Sequence, residues 1–117
     1  MFHNELLEAA EKAYELRGNG VPLAHVLLER ARQERKWGTQ NHQPVWYLAI
    51  LMEEVGELAQ SIIETNFGHG ENQGAEKIYN EATQVAAVAL AMVECLDRNL
   101  ALDKDWIVRG AAESACE

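Results

Sequence analysis

Cysteine, proline, basic residues and long apolar runs are all scarce in these 117 residues. Cys95 and Cys116 are the only thiols. Neither stands at metal-ligand spacing, so a zinc motif and a disulfide framework are both excluded as organising features. The longest unbroken apolar run, Val85 to Val93, is far too short to cross a bilayer. No charged-then-apolar leader opens the sequence, which sets the expectation of a cytoplasmic protein without membrane partners. Lys and Arg number 10 against 19 Asp and Glu, a net charge of −9. That balance argues against a nucleic-acid partner, which would gather cations to meet phosphates. It is compatible with a small phosphate-bearing ligand held through a divalent cation.

Pro22 and Pro44 are the only prolines, and each stands near the start of an Ala-, Leu- and Glu-rich stretch that favours helix. No strand-like alternation, repeat or low-complexity tract is present. The pattern predicts one domain over residues 1–117. Its helices fall at about Asn4–Leu16 with Asn4 as N-cap, Pro22–Lys36, Val45–Thr65 and Ala75–Arg98, with a short C-terminal helix from Asp103. Short connections then give an all-α, antiparallel four-helix-bundle-like core. In the third helix Leu48, Leu51, Met52, Val55, Leu58, Ala59, Ile62 and Ile63 form one apolar stripe. In the fourth, Ile78, Val85, Val88, Ala89, Met92, Val93 and Leu96 make the apolar face, and Ala86, Ala87, Ala89 and Ala91 keep the helix slim. A slim helix suits burial on more than one side, and a second subunit could supply one of those sides. The expectation is a homodimer or homotetramer.

Charge placement is the informative feature. Glu53, Glu54 and Glu57 are three and four residues apart on one helix, so Glu57 can converge with either neighbour. A solvated acidic face is the simpler reading of that triplet alone. Glu81, however, falls inside the apolar face of the fourth helix, one turn before Val85. A carboxylate buried there needs a cation or a proton. Lys77, four residues earlier, offers an ordinary salt bridge. The other reading turns Glu81 and Gln84 toward the acidic triplet across a helix pair, building an oxygen-rich site suited to Mg²⁺, with Mn²⁺ as the alternative. Glu-x-x-His pairs, His-Glu-x-x-His, a phosphate-binding glycine loop and a nucleophile elbow are all absent. His3, His25, His42 and His69 are scattered.

Glu53-Glu54-x-x-Glu57 followed by Glu81-x-x-Gln84 resembles the Glu-Glu-x-x-Glu…Glu-x-x-Asp signature of the MazG-like nucleoside triphosphate pyrophosphohydrolases. His42-Gln43-Pro44 and the run Leu48 to Leu58 are similar to the dCTP pyrophosphatase branch of that all-α superfamily. The resemblance spans roughly Arg35 to Leu96 and departs at Gln84, where the family has Asp; an amide oxygen ligates more weakly and brings no charge. It implies Mg²⁺-dependent cleavage of a nucleoside triphosphate, deoxy or modified, to monophosphate and pyrophosphate. By the same resemblance Glu54, Glu57, Glu81 and Gln84 would be metal ligands, and Glu53 would orient the attacking water or serve a second metal. Lys36 and Trp37 precede the third helix, one suited to phosphate and the other to stacking on a base; Trp37 could equally cover the bundle end. Trp46 is expected to pack at the start of the third helix and Trp106 to dock the C-terminal segment. Lys104 and Arg109 are further phosphate candidates. The rival reading is a non-catalytic helical oligomer that binds or regulates, favoured by Gln84.

Overall fold

The computed structural model describes residues 2–16, 20–71, 73–101 and 109–110. Four α-helices account for nearly all of them: α1 (His3–Glu15), α2 (Gly20–Trp37), α3 (Pro44–Phe67) and α4 (Ala75–Asn99). No strand occurs among the described residues. The first four predicted helices are present, each displaced by a few residues at its ends. Asn4 is not the cap: α1 starts at His3 behind an extended Phe2, with no side-chain capping bond. Pro44 opens α3 at its first turn, where a missing N–H costs nothing. Gly68 closes α3 in the left-handed region at φ 68°, a conformation that penalises any side chain. The expected C-terminal helix from Asp103, with Lys104 and Trp106, lies outside the described residues.

Packing follows a simple order, with α1 against α2, α2 against α4, and α4 against α3. Leu6, Ala10 and Ala13 of α1 meet Ala24, Leu27 and Ala31 of α2 in the main apolar core. The alanines let these two helices approach closely. At Gly20 the approach leaves no room for a Cβ, which would collide with the Ala13 carbonyl oxygen.

Helix α4 lies between α2 and α3, so its second burying surface comes from the same chain. Leu90 packs against the α1–α2 core and Glu94 pairs with Arg30 of α2. On the α3 side, Glu81 and Val88 are buried. Val93, expected on the apolar face, is 61% exposed, while Glu94 and Cys95 next to it are buried. The polar Glu94 is inside because a cation waits there, a partner that hydrophobic periodicity does not register.

The α3 stripe is divided. Leu51, Val55 and Leu58 are half-buried, whereas Val45, Leu48, Met52, Ile62, Ile63 and Phe67 are exposed. Trp46 is 64% exposed rather than packed at the helix start. Exposed large apolar side chains are therefore more numerous on α3 than on α4, where Val93 and Tyr79 are the exposed ones. The radius of gyration, 16.3 Å, exceeds the ~13 Å of a compact chain of this length. No helix among the described residues is long and apolar enough to cross a membrane.

Candidate metal centre and adjoining cavity

Glu54 and Glu57 stand one turn apart on α3, and Glu81 stands two turns into α4. The α3–α4 packing brings one carboxylate oxygen from each to within 4.8 Å of the others. Glu81 is 5% exposed, as its place on the apolar face requires. Its Oε1 accepts Lys77 Nζ at 2.9 Å, the ordinary salt bridge expected from spacing. Its Oε2 is buried without a hydrogen-bond partner, and so is Oε2 of Glu54. An orphaned buried oxygen costs about 1–3 kcal/mol, more when charged. Two of them beside a third carboxylate form a set that a hard cation would satisfy.

The electrostatics agree. Burial pushes the Glu54 carboxyl above its ordinary range, and Glu57, Glu81, Glu53 and Glu29 push it further. Lys77 is held protonated by its bond to Glu81. Glu53 is exposed and does not belong to the three-oxygen convergence. It lies close enough to act on Glu54 through space.

A cavity of about 110 Å³ opens beside Glu54, between α2, α3 and α4. Gln84 lines it together with Glu54 and Trp37, so the predicted amide and aromatic reach one space with one of the carboxylates. Lys36 does not line it. Its Nζ sits 4.7 Å from the centre of the Trp37 ring, a cation–π contact. Arg109 is exposed.

Other groups at this cavity escaped the sequence reading. Arg32 donates to both carboxylate oxygens of Glu29, at 2.9 and 2.7 Å, and both residues line the cavity. Behind it, buried Arg30 donates through Nε to Glu94 at 2.7 Å and through Nη2 to Glu34 at 3.3 Å. Glu94 is held below the usual carboxylate range: burial works against this, and the bonds and charges of its cationic partners, Arg30 first and the N-terminal amine after it, outweigh it. The Arg30–Glu34 spacing of four was the available signal; the link to Glu94 is a tertiary contact that spacing could not reveal.

The loop between α2 and α3 is tied to the end of α4. Arg98 Nη2 donates to the Gln40 carbonyl at 2.9 Å and to Asn41 Oδ1 at 3.1 Å, and Asn99 donates to the same Asn41 oxygen at 2.8 Å. Tyr47, a buried residue of the first turn of α3, donates its hydroxyl to the Gln40 carbonyl at 3.3 Å. These bonds fix the loop that follows Trp37.

No protein-family model matches the chain, and no curated protein or solved structure matches it either.

Proposed function

We propose that the protein is a Mg²⁺-dependent nucleoside triphosphate pyrophosphohydrolase of the MazG-like kind, with Glu54, Glu57 and Glu81 as the metal-holding carboxylates. The observation that supports this best is that Glu54 and Glu81 each carry a buried, unpartnered oxygen and belong to one three-carboxylate cluster. A purely structural bundle gains nothing from that arrangement. Mg²⁺, with Mn²⁺ as the alternative, would neutralise the triphosphate and lower the pKa of a bound water.

The chain's own residues supply the remainder. Glu54, Glu57 and Glu81 hold the cation, and Gln84, reaching the adjoining cavity, offers a neutral fourth oxygen. Glu53, exposed beside Glu54, orients the attacking water. Trp37 receives the base in the cavity. Lys36, Arg32 and Lys77 are the cations nearest these groups, placed to meet phosphate oxygens; Lys104 remains a candidate for the same role. The substrate class is a deoxy or modified nucleoside triphosphate, cleaved to monophosphate and pyrophosphate.

The working form is a homodimer or homotetramer. The exposed residues Val45, Leu48 and Met52 follow three- and four-residue spacing, the pattern of a helix–helix seam, and Ile62 and Ile63 are exposed further along α3. A second copy of α3 is the occupant that fits it, and the extended shape of the single chain is that of a bundle awaiting its other half.

The alternative is a non-catalytic helical oligomer, and the Lys77–Glu81 salt bridge is the observation in its favour. Product analysis separates the two. Incubation with Mg²⁺ and a panel of deoxy- and ribonucleoside triphosphates should yield monophosphate and pyrophosphate in equal amounts for at least one of them. Orthophosphate as the only product, or no turnover by folded oligomer, would contradict the proposal.

A further inference from the structure

The cavity beside Glu54 holds about 110 Å³, several times the ~30 Å³ share of one water. It is walled by Trp37, Tyr47, Ile50 and Val88, with the amides of Gln33 and Gln84 among its polar groups. Space between aromatic and aliphatic walls suits a flat ring. What selects among rings is a polar group of fixed orientation, and Gln33 is one.

The orientation of Gln33 follows from donor and acceptor bookkeeping. Arg30 Nη1 lies 3.4 Å from the Gln33 side-chain oxygen. A guanidinium only donates, so the amide atom turned to it must be the carbonyl oxygen. Arg30 cannot turn away, since Glu94 and Glu34 hold its other nitrogens. It is 4% exposed. Glu34 is itself fixed by the Thr39 hydroxyl. The Gln33 NH₂ group is thereby assigned to the other side. It makes no hydrogen bond to any described residue, and Gln33 lines the cavity.

We infer that Gln33 is a specificity-determining residue that donates its amide N–H to a keto oxygen of the nucleobase, with Arg30 as its positioning residue. This rests on the triphosphate reading above. A base carrying an exocyclic amine at the same edge would set donor against donor and leave both unpaired. The resulting preference for the keto member of a base pair set, uracil over cytosine or guanine over adenine, is about ten- to hundred-fold.

The test is calorimetric binding of α,β-imido deoxynucleoside triphosphates, which cannot be cleaved, to the intact protein with Mg²⁺. The panel comprises uracil, cytosine, guanine and adenine analogues, and tripolyphosphate serves as the base-free control. Gln33→Glu keeps an oxygen toward Arg30 and replaces the donor with an acceptor. Arg30→Lys keeps the charge and loses the fork that orients Gln33. Wild-type protein should bind the keto analogues at least tenfold more tightly. Both variants should lose that ratio, Gln33→Glu inverting it. A wild-type ratio near one, or an unchanged ratio in Gln33→Glu, overturns the role of Gln33. If wild type still releases pyrophosphate in that case, the proposed function stands without it. Tripolyphosphate binding with no gain from any base overturns the base site, and no binding of any probe overturns both readings.

Discussion

Glu81 gives one carboxylate oxygen to Lys77 at 2.9 Å and keeps the other buried without a hydrogen-bond partner. The salt bridge and the candidate metal site are therefore not exclusive. Lys77 neutralises Glu81 from the solvent side, while Glu81 remains clustered with Glu54 and Glu57. A lysine at this position both stabilises the metal-free protein and weakens attraction for a cation. Lys77→Met is expected to lower metal-free stability slightly, as an exposed ion pair contributes little, and to tighten Mg²⁺ binding. Titration calorimetry with MgCl₂ at constant ionic strength reads the second effect; weaker binding in the variant would show that Lys77 helps to assemble the site.

Glu54 makes metal-free stability depend on pH. Its folded pKa is raised above the ordinary 4.5 by burial and by neighbouring carboxylates, so the native state holds this proton more tightly than the unfolded chain. Its contribution is favourable below about 4.5 and is lost as pH rises through the folded value. Glu54→Gln should raise the metal-free melting temperature at pH 7 by a few degrees and leave it nearly unchanged at pH 4. Mg²⁺ replaces the proton, so its stabilisation of wild type should grow over the same rise in pH. Thermal melts at four or five pH values, with and without Mg²⁺, check both.

Arg30 answers two buried carboxylates, Glu34 and Glu94. Arg30→Leu removes the guanidinium that both carboxylates share and should cost about 3–5 kcal/mol. Glu94→Gln retains an acceptor for Nε and should cost less. Urea unfolding measures the difference. Equal losses in the two variants would mean that uncompensated buried charge is not the main cost.

Helix positions and the inward placement of Glu81 were legible in the sequence, since both follow from apolar periodicity on long helices. The acidic convergence was legible too, because residues three and four apart must share a face. Which apolar face stays open was not. Val93 lies outside its expected apolar face and Glu94 is buried beside it because Glu94 finds Arg30 across 64 residues of sequence. The α3 stripe is wide enough to serve two neighbours, and periodicity does not say that only α4 is present in the chain. Gln33 was invisible for a similar reason: its role depends on an arginine that tertiary contacts lock in place.

The open face of α3 yields a direct expectation. Met52→Glu and Ile62→Glu place charge on exposed positions without disturbing the α1–α2 core. Sedimentation velocity should show wild type as a dimer or tetramer and the double variant as a monomer. A wild-type monomer at tens of micromolar would remove the second copy from the account.

The central claim is that Glu54 and Glu81 hold the metal that drives hydrolysis, and pyrophosphate release tests it most directly. Wild type, Glu54→Gln and Glu81→Gln should be compared at saturating Mg²⁺ on the best substrate of the panel, with folding verified by circular dichroism. Metal-dependent release by wild type, reduced at least hundredfold in both variants, is the predicted result. Release that survives either substitution, or that proceeds equally well in excess EDTA, would contradict the account.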